Sequence, residues 1–91
     1  MKIKVEIAST QLQRAQGLMG RHSLDTDGGM LFQFPRNSNH CFWMQNTYIP
    51  LDIAFLDNEG KIFQIESMAP LSTRAIYAER PCRHALEVNK G

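Results

Sequence analysis

The sequence has no long apolar run. Nothing in its 91 residues approaches the roughly 18–20 consecutive apolar positions that span a bilayer, so a membrane-spanning helix is excluded. It also has no excess of charge. Lys and Arg number 10 against 9 for Asp and Glu, a net charge of +1. Residues 1–45 carry five basic and three acidic side chains, and residues 46–91 carry five and six. Without a basic stripe or tail, binding to nucleic acid by phosphate neutralisation is disfavoured. Residues 1–9 alternate instead of forming an apolar block, so no secretory leader is expected there. Cysteine is sparse: Cys41 and Cys82 allow one bridge at most. No repeat or low-complexity tract is visible. Hydrophobic residues make up 43% and charged residues 21%, which argues against disorder. A chain of this length makes one domain, residues 1–91, burying roughly 60–65% of its unfolded surface.

Lys2–Ser9 alternates polar and apolar residues, with Ile3, Val5 and Ile7 on one face, and predicts a half-buried strand. Thr10 and Gln13 form a T-x-x-Q capping box, which predicts a short helix over Gln11–Met19 with Gly20 as its stop. Arg21–Gly29 reads as loop. Met30–Phe34 reads as a short strand ended by Pro35. Cys41–Met44 and Leu51–Leu56 are apolar runs of strand length. Asp57-Asn58-Glu59-Gly60 predicts a hairpin turn between Leu51–Leu56 and Lys61–Ser67. Met68–Pro81 is a long irregular segment, and loops of that length are often functional. Cys82–Val88 closes the chain as a strand. The pattern predicts a β-rich α+β fold, an antiparallel-rich, barrel-like sheet with one short N-terminal helix.

The stretch from Phe42 to Phe55, F-W-M-Q-N-T-Y-I-P-L-D-I-A-F, resembles the signature of the family called domain of unknown function 192. Three further stretches resemble that family in order along the chain. They are Arg14–Met19, Gly29–Phe32 with Phe34-Pro35, and Ala85–Val88 with Gly91. The resemblance implies a prokaryotic protein with a small β-rich, barrel-like fold and no established activity. It also implies export, although no leader is seen here and a cytoplasmic location stays open. Gln45 stands where the family usually has Lys. Family members usually continue past the Gly91 position with a G-I-x-x-G-D-like segment. A missing final strand would leave an unpaired sheet edge, through which a homodimer could form.

Trp43, Asn46, Thr47 and Asp52 are the polar and aromatic members of the signature. One reading is structural: Asp52 accepts hydrogen bonds that brace the Asn46–Pro50 bend. The other is functional. Trp43 walls a shallow cleft while Asn46, Thr47 and Asp52 orient a small polar molecule or a peptide. An enzymatic alternative makes Asp52 one of two carboxylates in a hydrolase, with Glu66 or Glu87 as the second. A third alternative is an accessory or assembly protein acting through an open sheet edge. Cys41 and Cys82 are a disulfide candidate, or two free thiols. His40-Cys41 and Cys82-Arg83-His84 raise a metal reading, but their spacing matches no common zinc module, so no metal or cofactor is expected. The loop bearing Ser72, Thr73 and Tyr77 is either a packed cover or a lid over the cleft.

Overall fold

The computed structural model describes residues 3–91. Along the chain run β1 (Lys4–Ala8), α1 (Gln11–Gln16), β2 (Gly28–Ser38), β3 (Cys41–Phe42), β4 (Leu51–Leu56), β5 (Ile62–Met68), β6 (Ile76–Tyr77) and β7 (Cys82–Asn89). Five strands form one sheet in the order β1-β2-β7-β4-β5, and β3 and β6 form a separate two-stranded ribbon. The fold is therefore α+β and β-rich. The sheets are not closed into a barrel, because β1 and β5 remain as edges. The final strand, β7, lies in the centre of the sheet between β2 and β4. β1 and β2 run parallel, joined through α1, and the other pairs are antiparallel.

Strand alternation gives the sheet two unlike faces. Met30 and Phe32 of β2, Ala85 and Glu87 of β7, Leu51, Ile53 and Phe55 of β4 and Met68 of β5 are buried on the inner face. The strand registers align Met30, Glu87 and Ile53 in one row, and Phe32, Ala85 and Phe55 in the next. Over this face lie α1, the β3–β6 ribbon and the turns that follow them, contributing Leu18, Phe42, Met44, Ile49 and Ala78 to one core. Phe42 meets Phe32 edge-on at 5.0 Å between ring centroids and leans on Phe55 at 5.8 Å, which docks the ribbon on the sheet. Of the internal methionines Met19, Met30, Met44 and Met68, the last three are core residues and Met19 is half-buried.

Several boundaries differ from the sequence expectation. α1 stops at Gln16 because Gly17 adopts φ 50° and donates its N–H to the Gln13 carbonyl. The capping box at its start is complete: Thr10 Oγ1 accepts from Gln13 N–H, and Gln13 Oε1 accepts from Thr10 N–H. β2 runs through Pro35 instead of ending there. Its pairing with β7 is irregular between Gln33 and Ser38, so no ladder bond is required at the proline. β3 ends at Phe42, two residues short of expectation, since Met44 N–H bonds to the Ser72 carbonyl.

The β4–β5 hairpin matches expectation. Asp57 Oδ1 accepts from Glu59 and Lys61 N–H, and Gly60 takes φ 81°. On β1 the buried residue is Ala8, while Ile3, Val5 and Ile7 are exposed. The expected half-buried stripe thus faces outward, because α1 returns over the opposite face. Lys2, the first residue of that expected strand, lies outside the described residues.

Candidate functional site

The signature Phe42–Phe55 folds largely as a packing code. Phe42, Met44, Thr47, Ile49, Leu51, Ile53 and Phe55 are buried, while Trp43, Asn46 and Tyr48 point to solvent. Asn46 adopts φ 56°, a conformation that asparagine tolerates, and its carbonyl accepts from Gly20 N–H at 2.8 Å. Thr47 closes the turn with N–H to the Met44 carbonyl at 3.0 Å and Oγ1 to the Gln45 carbonyl at 3.2 Å. The irregular segment after β5 is stitched to this turn. Leu71 N–H donates to the Thr47 carbonyl, and Met44 N–H donates to the Ser72 carbonyl, both at 2.9 Å.

A cavity of about 270 Å³ opens between α1 and the inner face of the sheet. Its walls are Arg14, Gly17, Leu18 and Met19 on the helical side and Phe34, Cys41, Phe42 and Trp43 on the other. Phe32, Thr47 and Glu87 also line it. A Cβ at Gly17 would stand 3.4 Å from Phe32, so the glycine lets the end of α1 close on this ring. Arg14 is held in place. Its guanidinium donates to the Ser9 and Gln33 carbonyls and lies 5.3 Å from the Phe34 ring centroid. His40 stacks on Phe34 at 3.6 Å.

Glu87 is the chemically distinctive residue here. Only 4% of it is exposed, and its carboxyl has no hydrogen-bond partner among the described residues. Burial alone pushes its pKa up from 4.5 to about 8. Glu87 is therefore mainly a neutral acid at pH 7, able both to donate and to accept a hydrogen bond in the cavity.

The sequence candidates divide between two places. Trp43 and Thr47 line the cavity, and Asn46 and Asp52 do not. Asp52 lies on the outer face of the sheet, where Ser67 Oγ donates to its Oδ1 at 2.7 Å and Gly91 N–H to its Oδ2 at 3.1 Å. These bonds, the Ser67 hydroxyl first, hold its pKa below the ordinary aspartate value. A hydrolase built on Asp52 needs a raised pKa and a facing carboxylate. Asp52 has neither, because Glu87 and Glu66 are on strand positions of the opposite face. Cys41 and Cys82 are free thiols, the first exposed and the second buried. No group of three metal-ligating side chains occurs among the described residues.

Fold and cavity together define a small β-rich α+β protein in which one short helix closes over an open sheet. The family model DUF192, described as Uncharacterized ACR, matches residues 1–91, and the chain belongs to that family. A crystal structure from Sinorhizobium meliloti 1021, described as a candidate transcription regulator, is similar at 41% identity and a TM-score of 0.94. The match covers 98% of this chain and 70% of that one. A protein of unknown function from Novosphingobium aromaticivorans DSM 12444 is similar at 34% identity and a TM-score of 0.94, over 98% of this chain and 64% of that one. No curated protein matches.

Proposed function

We propose that the chain is a binding module for a small organic molecule, held in the cavity between α1 and Trp43 with its polar end on Glu87. The observation that carries this reading is the Glu87 carboxyl, which lines the cavity without a side-chain or backbone partner among the described residues, beside the rings of Phe32, Phe34, Phe42 and Trp43 and the polar side chains of Gln11, Arg14 and Thr47. A carboxyl that is largely desolvated yet open to a cavity is free to take its hydrogen bonds from a ligand seated there. Phe32, Phe42 and Trp43 offer flat apolar surface to the rest of the ligand. Thr47 Oγ1, whose proton goes to Gln45, still has lone pairs to accept with.

Trp43 is the only tryptophan, is 48% exposed and lines the cavity, so its fluorescence reports occupancy directly. The test titrates the chain with pools of amines, amides, sugars, nucleosides and short peptides. At least one small-molecule pool is expected to shift the emission, with the shift lost in Glu87→Leu and kept in Asp52→Ala. A response from peptides alone, or one equal in Glu87→Leu, overturns the reading. The direction with pH identifies the ligand: affinity for a neutral hydrogen-bond acceptor falls above pH 8, where Glu87 loses its proton, and affinity for a cation rises.

The charge pattern does not favour nucleic-acid binding, since residues 1–45 carry a net charge of +2 and residues 46–91 of −1.

A further inference from the structure

The outer face of the five-stranded sheet is mostly apolar, with Asp52, Ser67, Gln33 and His84 as its polar positions, and nothing among the described residues covers it. Register places Val5 and Ile7 of β1, Leu31 of β2, Leu86 and Val88 of β7, Ala54 and Leu56 of β4 and Ile65 of β5 side by side across all five strands. Val5, Ile7, Ile62 and Ile65 are exposed, Ile65 by 62%. Leu31, Ala54, Leu56, Leu86 and Val88 in the central strands are half-buried. Gly29 sits where a Cβ would press on Val88 at 3.1 Å and Ile3 at 3.4 Å, which keeps this part of the face flat.

We propose that this face packs against the same face of a second copy of the chain, giving a two-fold dimer in which two sheets stack. Three observations select that occupant. A patch of about 500 Å² is at the upper end of what monomers expose, and patches of that size are often interaction surfaces. Among the described residues, the charged group on the face is Asp52, already bonded to Ser67 and Gly91, with Lys90 near it, and Gln33, His84 and Ser67 are its other polar side chains. With one charge of each sign, the face selects neither an acidic nor a basic partner, whereas an apolar face matches itself under two-fold symmetry. The area also suffices. Five strands at about 4.8 Å spacing and about six residues of length make about 500 Å² per copy, so pairing two buries about 1,000 Å², where specific association begins. Stacked sheets of this kind align within about 30° of each other.

The test is sedimentation equilibrium of the 91-residue chain at concentrations up to about 100 µM, above the micromolar dissociation constants of modest interfaces. The wild type is expected to show twice the monomer mass at the upper end. Ile65→Lys combined with Val5→Lys is expected to restore the monomer mass while leaving the far-ultraviolet circular dichroism unchanged, since both side chains already point outward. Leu12→Lys, on exposed α1 at the other side of the molecule, is expected to leave the dimer intact. A wild type that stays monomeric overturns the proposal, and so does one that instead partitions onto phosphatidylcholine vesicles. A dimer that survives the double substitution overturns it as well, and so does one that Leu12→Lys breaks. None of these outcomes bears on the Glu87 cavity, which opens on the inner face.

Discussion

Asp52 and Glu87 lie on adjacent strands of one sheet, one register position apart, and face opposite ways. Asp52 pairs with Val88, and Ile53 pairs with Glu87. On the outer face, Asp52 meets a hydroxyl, a backbone N–H and water, and its pKa is lowered. On the inner face, Glu87 sits between Met30 and Ile53 on the wall of the cavity, makes no hydrogen bond among the described residues, and has its pKa raised by burial. Two carboxylates of nearly equal intrinsic acidity are pushed apart by strand alternation alone. The satisfied carboxylate braces the fold, and the unsatisfied one has binding capacity to spare.

The largest test of that contrast is the pH dependence of stability. The folded pKa of Glu87, about 8, lies above its unfolded value of 4.5, so the folded chain keeps a proton that the unfolded chain releases between those values. Stability from this group is therefore complete below pH 4.5 and falls as pH rises to about 8. The slope is about 1.4 kcal/mol per pH unit, or about 5 kcal/mol across the window. Urea unfolding from pH 4.5 to 8.5 should show this decline in the wild type, and Glu87→Gln should be nearly flat. Parallel curves for the two proteins would mean that Glu87 ionises freely in the folded state.

Next in size is the difference between neighbouring core and outer residues on β4. Phe55 is fully buried against Phe42 and Phe63, and Leu56 points the other way. Phe55→Ala is expected to cost about 3–5 kcal/mol, the range for deleting a buried aromatic ring. Leu56→Ala should cost less than half of that in dilute, monomeric chain, as denaturation midpoints can establish. Equal losses would show that the outer face is covered within one copy.

The sequence shows most of this frame, and what it hides has physical causes. Alternation in Leu51–Leu56 is regular, so β4 and its two faces are legible, as are the Thr10 capping box and the Asp57–Gly60 turn. Local chemistry settles each of them. The Pro35 crossing is not legible, because it depends on an irregular pairing with β7, 48 residues away at Arg83. Ile3, Val5 and Ile7 show a stripe but not which way it faces, which depends on the side to which α1 returns. The site is half legible. Trp43 and Thr47 stand out in the signature, but Glu87 is one acidic residue in an apolar strand. Its signal, a lone carboxylate at an inward position of Ala85-Leu86-Glu87-Val88, acquires meaning only when the register sets it between Met30 and Ile53.

A smaller effect is expected at the helix that roofs the cavity. α1 has only six residues and leans on its capping box. Thr10→Ala should cost about 1 kcal/mol. It should also loosen Gly17 over Phe32, so that Trp43 emission becomes more accessible to acrylamide quenching. Unchanged quenching would mean that packing by Leu18, not the cap, holds the roof.

The smallest effect belongs to Asp52, and its sign is opposite to that of Glu87. Its folded pKa lies below the unfolded value of 3.8, so its contribution is complete above that value and lost as pH falls through the folded one. Two exposed hydrogen bonds, from Ser67 and Gly91, are worth about 1 kcal/mol together once water competes for them. Asp52→Ala should therefore lower stability by about that amount near neutral pH and flatten only the acid limb of the curve. The decline toward pH 8 should remain, because it comes from the other face of the sheet. If Asp52→Ala also removed that decline, the two carboxylates would be coupled through β4 and β7, and the independence of the faces would fail.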